Sequence, residues 1–201
     1  MGRPILIIGK SGVGKSASLR NLKDYGLIKV IDKDLPFKSN QKSIVSDNYQ
    51  TIKQAILGAK TNVIVIDDAN YLMTNEFMRR SKERGYDKFT ELAEHFWDLI
   101  MFVKSPDIKK NVYFFMHEDK NDIGDVKPKT IGRMLDEKVC VEGLFTIVLR
   151  ATKNDKRHVF RTITDGFDIV KTPIGMFEQE EIDNDLLLVE NAINNYYKEE
   201  N

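Results

Sequence analysis

An α/β fold with a mostly parallel sheet flanked by helices is what this sequence predicts, on three observations. Short, continuously apolar runs recur at Ile5–Ile8, Val63–Ile66 and Val112–Met116, as they do in strands buried on both faces. Between the last two lies a helical pattern, Lys88–Val103, in which Phe89, Leu92, Ala93, Phe96, Ile100 and Val103 share one face. Each apolar run ends in glycine or charged residues, and ligands collect at the carboxyl ends of strands in such sheets.

The bulk properties narrow the classes. A length of 201 residues fits one domain, residues 1–201, with a core over about 3–177 and a closing helix over about 183–198. Lys and Arg total 31 and Asp and Glu total 31, so overall charge makes no case for nucleic acid and any basic surface has to be local. Cys140 is the single cysteine, which excludes an intrachain disulfide framework and fits a reduced, cytoplasmic setting. No apolar run is long enough to span a membrane, and the N-terminus enters a strand with no signal-peptide pattern.

The first run leads into Gly9-Lys10-Ser11-Gly12-Val13-Gly14-Lys15-Ser16, followed by Ala17, which matches G-x-x-x-x-G-K-[ST] between a strand and a helix. The residue types explain the chemistry. Glycines let the backbone N–H groups turn inward as a nest for phosphate oxygens, and the helix N-terminus adds its positive end. Lys15 brings a cation to the outer phosphates and the Ser16 hydroxyl is a ligand for Mg²⁺.

Helix is expected from Ser16 to Leu22, then a short strand Leu27–Ile31 and a turn-rich exit through Asp32-Lys33-Asp34 and Pro36. Asp47 or Asn48 caps a helix over Tyr49–Leu57, which Gly58 stops. The run Val63–Ile66 followed by Asp67-Asp68 has the Walker B form. Asp67 is expected beside Ser16 as a metal ligand, with Asp68 one step further into the cleft to orient a water. Tyr71–Lys88 reads as a solvated helix end and loop with Arg79, Arg80, Lys82 and Arg84, or as a basic segment facing a polyanion. After Val112–Met116, His117 stands where a polar side chain can sense the γ-phosphate. A histidine satisfied by loop hydrogen bonds explains it equally well. Lys120–Val139 reads as a loop carrying Lys127, Lys129 and Arg133.

Two strands, Leu144–Ala151 and His158–Thr164, flank Thr152-Lys153-Asn154-Asp155 as a C-terminal hairpin, and a helix over Asp183–Tyr197 closes the chain. Thr152–Asp155 matches the T-K-x-D form of a guanine-specificity motif. No glycine follows Asp67-Asp68 in the D-x-x-G manner, so a hairpin turn is preferred, and ATP over GTP.

The phosphate loop GKSGVGKS, the Walker B segment VIVIDDA, the helix Lys88–Val103, the strand VYFFMHED and the late segment KTPIGMF together resemble the phage-encoded RecA-like ATP-binding proteins, which include ATP-dependent single-strand annealing proteins. The resemblance spans about Pro4–Phe177. It implies a RecA-like sheet that binds ATP and Mg²⁺, and a homo-oligomer on single-stranded DNA with ATP between subunits. It also places the DNA-facing loops at Tyr71–Lys88 and Lys120–Lys138, and a catalytic carboxylate on the strand before Walker B, where this chain has Asp32 and Asp34. The base is thus Asp68 or Asp32, and a trans-acting cation is one of Arg133, Arg161 and Lys171. Two rivals stand beside an ATPase of phage recombination: a small nucleotide or metabolite kinase, and a nucleotide-gated assembly factor with negligible turnover.

Overall fold

The computed structural model describes residues 1–121, 124–132, 135 and 138–198. In chain order the strands are β1 (Arg3–Gly9), β2 (Gly26–Lys29), β3 (Ser43–Val45), β4 (Val63–Asp67), β5 (Asn111–Lys120), β6 (Val126–Pro128), β7 (Ile147–Asn154), β8 (Arg157–Arg161) and β9 (Glu181–Asp183). The α-helices are α1 (Tyr49–Gly58), α2 (Asn70–Arg79), α3 (Asp87–Val103) and α4 (Leu186–Lys198), with a 3-10 helix at Ser16–Asn21.

The sheet runs β3-β2-β4-β5-β1-β7-β8-β9, parallel from β3 to β7 and antiparallel beyond, with β6 antiparallel to the end of β5. The strand that carries the phosphate loop and the strand that ends in Asp67 are therefore not neighbours; β5 lies between them. Its register changes at His117. Up to there β5 is clamped by β1, with Gly9 opposite His117, and from Glu118 its partner is β6, with Glu118 opposite Pro128.

Strand alternation sorts β1 onto two cores. Leu6 and Ile8 pack with Ile64, Ile66, Phe114 and Met116 under α1, α2 and α3, whose Ile52, Leu72 and Phe96 are fully buried. Ile5 and Ile7 pack with Val65, Phe115 and Leu149 on the other face, under Leu19 and the Leu186, Val189 and Ile193 stripe of α4. The helix expected over Asp183–Tyr197 thus begins slightly later and seals this second core. Asn48 caps α1, its side chain accepting from the Thr51 N–H at 3.0 Å. The segment expected as a helix end and loop, or as a basic segment, starts as helix, and α2 buries Leu72 and Met73 against α3. The β7–β8 turn falls at Asp155-Lys156, with Asp155 at φ 52°, so Thr152–Asn154, expected as turn, are the paired end of β7. Among the described residues, no helix is long and apolar enough to cross a membrane.

Candidate functional site

The carboxyl ends of β1, β2, β4 and β5 converge on one cleft of about 720 Å³. Ser11, Gly12, Gly14, Lys15, Ser16 and Ala17 line one side of it. Gly12 and Gly14 take φ values of 78° and 98°, a region open to glycine at little steric cost, and this turns the loop back on itself. Lys15 Nζ donates to the carbonyls of Gly9 at 2.7 Å and Lys10 at 2.9 Å, so the ammonium is folded against the loop it closes. Burial pulls its pKa down to about 8 against the opposing pull of Asp68 and Asp67.

Asp67 and Asp68 both arrive from β4 and both are buried. The Ser16 hydroxyl lies 2.9 Å from each carboxylate oxygen of Asp67, joining residues 51 apart in sequence. Burial, and then the charge of Asp68, raise the Asp67 pKa; the Ser16 hydrogen bond works against them. A hydroxyl and a buried carboxylate held this close are the hard oxygen donors that Mg²⁺ prefers, and a dication offsets the cost of the buried charge, so the residues fit that ion.

Asp68 adopts φ 60°, in the left-handed region that a non-glycine residue enters at some cost. The turn is held because the Ala69 N–H donates to the Phe115 carbonyl at 2.7 Å. It aims the carboxylate at two groups. Lys33 Nζ pairs closely with Oδ2, although not in the alignment of a hydrogen bond. His117 Nε2 lies 3.5 Å from Oδ1. His117 is itself fixed: its N–H donates to Asn70 Oδ1 at 3.0 Å and its ring meets Tyr71 edge-on. Burial, and then Lys15, push the His117 pKa down, which favours the neutral ring. Glu118 turns away to Arg150, which donates to it at 2.8 and 3.1 Å.

A model of the AAA domain family matches residues 1–172. The chain belongs to the AAA domain family. No curated protein matches it. As an AAA domain it is a P-loop nucleotide-binding protein of the ATPase type. Its phosphate loop, Walker B carboxylates and His117 all lie within the matched residues, whereas β9 and α4 lie beyond them.

The AAA domain departs from the sequence expectations in three places. Asp32 does not reach the cleft: its side chain is 74% exposed and pairs with Lys29 at 2.9 Å. The β2 exit loop sends Lys33 and Asp34 into the cleft instead, so of the two expected bases, Asp68 and Asp32, it is Asp68 that lines the cleft. Arg79 and Arg80 are committed within the fold. Arg79 pairs with Asp47, and Arg80 pairs with Glu76, Glu83 and Glu91 at 3.2, 2.7 and 2.7 Å, so neither presents free charge to a polyanion. Arg161, one of the three trans-acting candidates, pairs with Asp165 at 2.7 Å. Lys82 and Arg84 are exposed between α2 and α3, and Lys127 and Lys129 lie on or beside β6. Arg133 lies outside the described residues. Lys33 itself was missed; a lone lysine in a turn carries no motif, and only the fold brings it to Asp68.

Proposed function

We propose that this AAA domain is a magnesium-dependent ATP hydrolase acting on single-stranded DNA, in recombination or strand annealing, as a homo-oligomer with ATP near the subunit interface. The observation that carries the hydrolase reading is the convergence of three devices at one cleft: the Lys15 loop, the Ser16–Asp67 pair, and the Asp68–Lys33–His117 cluster. Loop amides and Lys15 hold the phosphates and take up charge as the bond to the leaving β-phosphate oxygen breaks. Ser16 and Asp67 would hold Mg²⁺, which would neutralise phosphate charge. Asp68 accepts a hydrogen bond from the attacking water and orients it, and Lys33 and His117 hold Asp68 in place. Water adds to the γ-phosphorus, ADP leaves with the electron pair, and the proton passes to the phosphate formed.

Support for a DNA role is the resemblance together with local basic residues close to the γ-phosphate end. The Lys129 N–H donates to the His117 carbonyl at 2.8 Å, which ties the Lys127–Lys129 segment to the residue facing Asp68. Lys82 and Arg84 add exposed charge. The deciding measurement is the steady-state ATPase rate with and without single-stranded DNA, paired with DNA binding by fluorescence anisotropy at low salt. Turnover stimulated by DNA is expected. Turnover with no DNA binding at low salt, with or without ATP, sinks the DNA role and leaves the hydrolase; tight ATP binding by folded Lys15→Ala sinks the hydrolase site.

A further inference from the structure

The corner between β9 and α4 holds a side chain whose polar atoms have no partner in the protein. Asn184 is 2% exposed, and neither its carbonyl oxygen nor its amide nitrogen makes a hydrogen bond. Its backbone is pinned: the N–H donates to the His158 carbonyl at 3.1 Å, and the carbonyl accepts from Arg20 Nη1 at 2.5 Å. The carboxamide lies against the phosphate loop. A Cβ on Gly14 would stand 3.2 Å from Asn184 Oδ1 and 3.2 Å from His158 Nδ1, so glycine is what admits it there. The His158 ring, on an exposed residue, is held beside it through Nδ1 to the Val13 carbonyl at 2.9 Å.

Asn184, His158 and Arg157 line the same cleft as Lys15 and Asp68. Sheet order separates the two groups. Lys33, Asp68 and His117 come from the β2, β4 and β5 side of β1, whereas His158 and Asn184 come from the β8 and β9 side. A nucleotide with its γ-phosphate at Lys33 and Asp68 therefore has its base directed to the β8–β9 wall. That wall includes residues beyond the family match, which ends at 172.

We propose that Asn184 reads the base of the bound nucleotide and selects adenine. The inference rests on the nucleotide-hydrolase reading above and deepens it. A buried donor and acceptor left unmatched are costly to hold, and a ligand that supplies both complements offsets the cost. Adenine presents the N6 amino donor and the N7 acceptor side by side, which an asparagine carboxamide matches with Oδ1 and Nδ2. Guanine presents two acceptors at that edge, O6 and N7, so one atom of the carboxamide meets its like. The base gains the carboxamide by displacing the His158 ring, which a single hydrogen bond holds. The Arg157 guanidinium is available to stack on its face.

The test is calorimetric binding of ATP, GTP, 7-deaza-ATP (which lacks N7) and inorganic tripolyphosphate to the full chain with Mg²⁺. The wild type is expected to hold ATP about 10-fold or more tighter than GTP or 7-deaza-ATP. Asn184→Leu, which removes both orphaned atoms, brings the three nucleotides together, leaves tripolyphosphate unchanged, and melts no lower than wild type without ligand. Equal binding of the three nucleotides by the wild type, or a preference retained in Asn184→Leu, overturns the assignment while the phosphate site stands. Should the variant fail to fold, the wild-type panel decides alone. A wild type that binds no triphosphate overturns both readings.

Discussion

Deleting the Lys33 charge tests the contact on which the water-facing end of the site depends. Lys33→Met keeps the stem and removes the ammonium from Asp68, leaving that carboxylate with His117 Nε2 at 3.5 Å. Breaking one side of a buried pair costs about 3–5 kcal/mol, whereas exposed pairs contribute about 0.2–1 kcal/mol. Here the Lys33 side chain is 50% exposed and that of Asp68 is 4% exposed, so the loss falls between those limits, at about 2 kcal/mol. In a chain of this size each kcal/mol moves the melting midpoint by about 2–4 °C, which makes the expected drop about 4–8 °C. The assay is a double-mutant cycle with Asp68→Asn, followed by urea denaturation. Once Asp68 is neutral, Lys33→Met should cost less than about 0.5 kcal/mol, a coupling of about 1–2 kcal/mol. Additivity of the two substitutions within about 0.3 kcal/mol refutes the reasoning, because it means that Lys33 does not hold Asp68.

Three further outcomes follow from the same geometry. Folding lowers the Lys15 pKa from 10.5 to about 8, so the unfolded chain carries more protons between those values and the stability of the nucleotide-free protein rises with pH across that window. The rise is worth about 3 kcal/mol in all, and melting curves from pH 7 to 10 should show it flattened in Lys15→Met. Ser16→Ala removes one of the two groups placed for Mg²⁺ and should lower turnover by about 10²-fold while raising the Mg²⁺ concentration needed for half-maximal rate; an unchanged Mg²⁺ titration contradicts the assignment. Lys82→Glu and Arg84→Glu should each reduce the slope of log affinity against log salt for single-stranded DNA by about 0.7, where Arg80→Gln leaves it unchanged.

What could be read from the sequence divides along physical lines. β1, β4 and β5 are legible because strands buried on both faces are continuously apolar, and α3 is legible because a long helix on one core repeats its stripe. β3 and β9 are three residues each at the sheet margins, with no apolar run to mark them. α2 is hidden because its buried residues include Asn70 and Glu76 beside Leu72 and Met73, which blurs the period. The phosphate loop and Asp67 are local patterns, and the fold brings the Ser16 hydroxyl within 2.9 Å of Asp67. Lys33, by contrast, owes its position to the path of a turn, and its neighbour Asp32 faces solvent. The arginines of α2 show their charge in the sequence but not the carboxylates that neutralise it. Asp47 reaches Arg79 across 32 positions of chain. Asn184 gave no signal, since its meaning lies in having no partner.

The change of partner along β5 has a mechanical consequence. Before His117 the strand is gripped from both sides by β1 and β4, and Tyr113, Phe114 and Phe115 are fully buried, so that half cannot yield. After His117 neither β1 nor β4 pairs with it among the described residues, and it is held by the three residues of β6 and by the pairing of Glu118 with Arg150. His117 is thus the residue at which β5 leaves the central sheet for a two-stranded outer arm. A shift of His117 from the nucleotide side would reach that outer pairing first, through the His117 carbonyl that accepts from the Lys129 N–H at 2.8 Å.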